Sequence, residues 1–104
     1  MDKRRFELRY LPLFRSDLAE IVGYIALRLH NPDAASALVD AVEAAIMERT
    51  TCADAFEPYP SKRERQHPYY RIYVKNYTIY YIVVGNVMEV HRILYNKRST
   101  DRLL

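Results

Sequence analysis

The densest concentration of groups able to do chemistry is "HRILYNKR", which places His91, Arg92, Tyr95, Lys97 and Arg98 within eight residues. An imidazole titrates near neutral pH and can pass a proton in either direction. A tyrosine hydroxyl both donates and accepts hydrogen bonds, and the cations match phosphates or carboxylates, arginine through a planar fork of donors. Arg71, in the earlier segment "YYRIYVKN", adds a further cation. Two chemistries fit. One is acid–base work at a phosphate, with Arg71, His91 and Arg98 as catalytic candidates. The other is recognition of an anionic partner, with Arg71, Arg92, Tyr95, Lys97 and Arg98 as contacts. A plainer reading leaves these charges to solvate a strand end and discourage edge-to-edge pairing, and makes His91 a packed, hydrogen-bonded strand residue. His67, beside Pro68 in a charged stretch, reads as solvated, and His30, just before a helix cap, reads as a helix terminator. No Ser, His and Asp set or carboxylate pair stands out. Cys52 is the only cysteine, which excludes an internal disulfide and a zinc-type ligand cluster. No metal and no cofactor are expected.

Charge is distributed unevenly along the 104 residues. Residues 1–61 carry 7 basic and 10 acidic side chains, whereas residues 62–104 carry 9 basic and 3 acidic. Seven of the ten tyrosines lie between Tyr69 and Tyr95, so the second half interleaves cations with aromatic rings. That combination suits nucleic acid or an acidic protein segment, and it equally suits a strand-rich half kept soluble by its charges. The length fits one domain, residues 1–104. No apolar run approaches the ~20 residues needed to span a bilayer, and "MDKRRFELRYLPLF" lacks the apolar core and cleavage site of a secretory signal. A cytoplasmic protein with no membrane partner is expected.

The elements that must position these groups follow from periodicity. "RFELRY" alternates Phe6, Leu8 and Tyr10 with Arg5, Glu7 and Arg9, the pattern of a half-buried strand that Pro12 interrupts. From Leu13 to Leu29, the spacing of Leu18, Ile21, Val22, Ile25 and Leu29 predicts a helix with one apolar stripe. "HNPDAA" starts a second, with Asn31 as cap, Pro32 at the first helical position and Asp33 at the positive end of the helix dipole. Ala35, Leu38, Val42, Ala45 and Ile46 carry it to about Arg49, and the two helices form an antiparallel hairpin. Residues 50–68, with three prolines, read as a loop with at most a turn of helix. "YYRIYVKN" resumes alternation, with Tyr70, Ile72 and Val74 on one face and Arg71, Tyr73 and Lys75 on the other. "YTIYYIVV" is the spine of the sheet, Gly85-Asn86 a two-residue hairpin turn, and "VMEVHRILY" the returning strand. The expected fold is α+β: an N-terminal strand, the helical hairpin, and a mainly antiparallel sheet of three further strands, with the hairpin on one face.

With "DLAEIVGYIA" and "NPDAASALVDAVEAAI" in the helices, "YRIYVKNYTIYYIV" in the central strands and "MEVHRILYNKR" at the end, almost the whole chain resembles the RelE/ParE superfamily of toxins from bacterial type II toxin-antitoxin modules. The resemblance implies a growth-inhibiting toxin of the plasmid-stabilisation type, neutralised by a cognate antitoxin. It implies one of two targets: DNA gyrase for ParE-like members, or messenger RNA on the ribosome for RelE-like ones, which are metal-independent mRNA interferases. Arg71 and Arg98 match positions where RelE-like toxins carry a basic residue. Thr78, however, stands after the "NY" pair where those toxins carry another arginine, and Leu103-Leu104 where a tyrosine is expected. The helices, "NYTIYY" and "HRILYNKR" are similar to ParE-like members, so gyrase inhibition is favoured, with RNA cleavage and an inactive binding module on the same scaffold as alternatives. An acidic antitoxin segment is expected to enter a groove at the helical hairpin and cover part of the face bearing Arg71 and Arg98. The rival arrangement is a homodimer that hides the same apolar surface.

Overall fold

A computed structural model describes residues 5–60 and 66–97. The elements are β1 (Glu7–Tyr10), α1 (Pro12–Gly23), a π-helical turn (Tyr24–Arg28), α2 (Pro32–Arg49), β2 (Tyr70–Val74), β3 (Tyr77–Val84) and β4 (Val87–Tyr95). The sheet order is β1-β4-β3-β2. β1 runs parallel to β4, and the other neighbours are antiparallel. The expected α+β fold is therefore present, with β3 and β4 as inner strands.

Alternation decides which side chains enter the core. Phe6 just before β1, Leu8 and Tyr10 of β1, Ile72 and Val74 of β2, Ile79 and Tyr81 of β3, and Met88 and Val90 of β4 share one core with Phe14, Leu38, Val42 and Ile46 from the helices. Fully burying each large aliphatic side chain contributes about 2 kcal/mol. Among the described residues, no helix covers the opposite face of the sheet. Tyr69, Tyr80 and Leu94 form a second apolar cluster there, flanked by Tyr59 and Ile82.

Three local features depart from simple periodicity. Pro12 ends β1 and is also the first residue of α1, where its missing N–H would have had no helical partner. The helix expected to reach Leu29 changes hydrogen bonding after Gly23: Leu29 N–H bonds the Tyr24 carbonyl at 3.1 Å, an i to i−5 bond. The extra residue in this turn rotates the stripe, so Leu29, expected in the core, is 55% exposed and Leu27 73%. His30 then takes φ 52° and ends the helix, and the Asn31 side chain caps α2 by accepting from Ala34 N–H at 3.1 Å. In the hairpin of β3 and β4, Gly85 alone adopts positive φ, at 61°, and Asn86 does not. Lys75 supplies positive φ in the equally short two-residue turn before β3.

The third departure lies in β4. Tyr80 pairs with Arg92 and Tyr81 with Val90, so His91 is an extra residue, a β-bulge. Uninterrupted alternation from Met88 and Val90 would send Arg92 inward and Ile93 outward. The bulge resets the count: Ile93 joins the helix-side core and Leu94 the open-face cluster. Among the described residues, no helix is long and apolar enough to cross a membrane.

Candidate functional site

The open face of the sheet holds Arg71 in a frame of tyrosines. β2 alternation turns Arg71 and Tyr73 away from the core, and the loop before β2 brings Tyr59 alongside, where its N–H donates to the Tyr69 carbonyl at 2.6 Å. The Arg71 Cζ lies 5.0 Å from the Tyr59 ring centroid and 5.7 Å from that of Tyr73, both within the range of cation–π attraction. Tyr59 meets Tyr80 edge to face at 5.5 Å. Among the described residues no carboxylate pairs with Arg71. Its guanidinium is therefore oriented by rings while its donors stay available for a bidentate acceptor. Burial, then the neighbouring Tyr59, raises the Tyr80 pKa.

On the same face a hydrogen-bonded chain crosses the sheet. The Tyr69 hydroxyl lies 2.9 Å from His91 Nδ1, His91 Nε2 lies 2.8 Å from Glu89 Oε1, and Arg9 Nη1 lies 3.4 Å from Glu89 Oε2. With an ionised Glu89 accepting, Nε2 carries a proton, and in a neutral imidazole Nδ1 then accepts from Tyr69. The order carboxylate, imidazole, hydroxyl is that of a base held by an orienting group. It also leaves both ring nitrogens of a partly buried histidine satisfied.

Arg92, expected as a surface contact, has a different place. Its Nε donates to Asp17 Oδ2 at 2.7 Å and its Nη2 to Asp17 Oδ1 at 2.9 Å, with side chains only 14% and 13% exposed. Asp17 Oδ2 also accepts the Ile93 N–H at 3.1 Å. The reason is topological: β1 pairs with β4 only as far as Tyr10 opposite Val90, and beyond that point the α1 carboxylate takes the place of a strand on the β4 edge. The Asp17 hydrogen bond is also the main cause of a raised Arg92 pKa. Arg92 thus ties β4 to α1.

The other expected contacts scatter as well. Tyr95 pairs with Tyr77, their ring centroids 5.7 Å apart, and Tyr77 packs against the helix-side core. Tyr95 therefore lies across the sheet from Arg71. Lys97 is exposed in the turn after β4. Arg98 lies outside the described residues. Thr78 is buried and its hydroxyl donates to Asn96 Oδ1. Of the candidate site residues, the structure brings Arg71, His91 and Arg92 onto one face, with the Arg92 guanidinium turned to the sheet edge and held by Asp17.

Arg49 was not singled out, although it extends the buried Leu38, Val42 and Ile46 stripe into the last turn of α2. Its Nη1 donates to the Arg71 carbonyl at 3.0 Å and to the Tyr81 hydroxyl at 2.9 Å, and the Tyr81 hydroxyl donates to the Ala53 carbonyl at 2.7 Å. Burial is the leading cause of a raised Tyr81 pKa, with Arg49 opposing it. Tyr59, Tyr69, Glu89 and Asp17 were also missed. On the helix side, Tyr10, Phe14, Leu18, Val39, Val42 and Met47 line an apolar groove of about 500 Å³, with Arg15 and Glu43 also along it. Among the described residues, no three His, Cys, Asp or Glu side chains converge as metal ligands.

Comparison with known proteins places this architecture. The chain is similar in structure to a component of the chromosomal ParDE TA system from P. aeruginosa, at 17% identity and a TM-score of 0.68, over 88% of this chain and 97% of that one. It also aligns with a chain of the RelB-RelE antitoxin-toxin complex from Methanococcus jannaschii, at 24% identity and a TM-score of 0.47, over 86% and 91%. No curated protein sequence matches. Residues 8–100 match the family described as ParE toxin of type II toxin-antitoxin system, parDE. From the first strand to beyond the last, then, the chain belongs to the ParE toxin family of type II toxin-antitoxin systems.

Proposed function

We propose that this toxin arrests bacterial growth from the cytoplasm by binding DNA gyrase through the open face of its sheet, with Arg71 as the central contact. The observation that carries this reading is the Arg71 frame: a cation held between Tyr59 and Tyr73 with no carboxylate partner among the described residues. Such a group suits a carboxylate or phosphate on a larger partner, and the flanking rings add contact area at small entropic cost. The ParE membership favours gyrase. Inducing the gene alone should halt growth, and purified toxin should inhibit gyrase supercoiling.

Ribosome-dependent RNA cleavage is the second reading, and the Tyr69, His91 and Glu89 chain favours it, because it sets a proton-transfer group on the face that holds Arg71. Against it, Arg92 is engaged by Asp17 and Tyr95 lies across the sheet. Mapping transcript ends after induction separates the two: codon-phased cuts with normal supercoiling would favour RNA.

The partner that silences the toxin is a cognate antitoxin whose amphipathic segment lies in the groove between α1 and α2. The groove opens on the helix side and Arg71 on the other, so a segment that covers both must pass round a sheet edge. Co-expression with the neighbouring gene should give a heteromeric complex in which hydrogen exchange is slowed at both places. A stable homodimer that ignores the neighbouring gene product would contradict this.

A further inference from the structure

The guanidinium of Arg49 makes every interaction described for it with the frame that supports Arg71. One Nη1 bonds the Arg71 carbonyl and the Tyr81 hydroxyl. The plane lies over Phe56, with Cζ 3.5 Å from the ring centroid, and 5.7 Å from that of Tyr81. Tyr81 in turn holds the Ala53 carbonyl. Ala53 and Phe56 belong to the loop that continues to Tyr59, the ring beside the Arg71 side chain. Arg49 has no carboxylate partner among the described residues, so it is not held there by an ion pair. Its acceptors are neutral oxygens, one of them the backbone of Arg71 itself.

We propose that Arg49 is a positioning residue for Arg71, fixing that cation both through the β2 backbone and through the loop that delivers Tyr59. The role needs a cationic plane that reaches two acceptors at its edge while its face lies on a ring: an ammonium has no plane, and an amide is planar but uncharged, shorter and with fewer donors. This inference rests on the reading of Arg71 as the target contact, but the order of the Arg71 side chain can be measured without any target.

The test uses the full chain carrying Arg49→Gln, with Phe56→Ala as a second variant that removes only the stacking partner, a loop residue 44% exposed. In the native protein the Arg71 Nε–H should show the NMR relaxation of an ordered group. Each variant should make it mobile while the amides of β3 and β4 keep their shifts. In growth-arrest titrations at matched protein level, Arg49→Gln should weaken toxicity about tenfold. Added to Arg71→Ala, it should weaken toxicity no further. An Arg71 side chain that stays ordered in both variants would overturn the positioning role, as would additive losses in the double variant. A fully toxic Arg71→Ala protein would instead strike at the target-contact reading, whatever the relaxation data show, and with it the function assigned to Arg49.

Discussion

Arg71 and Arg92 lie in one row of the sheet, each directly opposite Tyr80 from its own side. Adjacent strands are ~4.8 Å apart, so the two backbones are separated by roughly 10 Å. Their side chains nonetheless have opposite fates. β4 loses its β1 neighbour after Val90, and Asp17 fills the gap, binding both the Arg92 guanidinium and the Ile93 N–H. β2 has no acidic group beside Arg71 among the described residues, only the rings of Tyr59 and Tyr73. Where an arginine sits in a strand does not decide what it does. The element that comes to lie against it does.

The largest effect should come from breaking the committed arginine. Removing one partner of a mostly buried ion pair leaves the other uncompensated, so Arg92→Ala should cost about 3 kcal/mol. Thermal melts should fall by more than roughly 10 °C, and an unchanged melting temperature would erase the contrast with Arg71. Tyr69→Phe removes the hydrogen bond to His91, should cost at least about 1 kcal/mol and should leave growth arrest intact. Loss of arrest in that variant at normal stability would promote the Tyr69, His91 and Glu89 chain to a catalytic role.

A smaller and more gradual effect is expected in alkali. Tyr10, Tyr77, Tyr80 and Tyr81 all have pKa values raised above 10.0, with burial as the leading cause. The unfolded chain then releases these protons first, so the stability linked to them is complete below about pH 10 and lost as pH rises through the folded-state values. Denaturant midpoints should decline above about pH 10, less steeply in Tyr80→Phe than in the parent. An identical slope would show that Tyr80 does not contribute. The smallest effect on stability belongs to Arg71→Ala, within about 0.5 kcal/mol.

Much of the fold was legible because burial follows period. Alternation in "RFELRY" and "YYRIYVKN" sorted core from open face, and "HNPDAA" located the start of α2. The misses occur where one extra residue shifts the count. The π-helical turn put Leu29 in solvent, and the bulge at His91 reset the alternation of β4, for which the sequence had offered no assignment of faces. The site was less legible because its partners are distant in sequence. Arg92 reads as a surface charge until Asp17 is seen beside it, and Arg49 reads as an ordinary helix-terminal base. An ionisable residue on an apolar stripe was the available signal for Arg49.

The most direct test is gyrase supercoiling in the presence of purified toxin, comparing the native chain with Arg71→Ala at equal melting temperature. The native chain should block supercoiling, and Arg71→Ala should require at least about tenfold more protein for the same block. Unimpaired supercoiling with native toxin would contradict gyrase as the target. Equal inhibition by Arg71→Ala would contradict the open face as the surface that binds it.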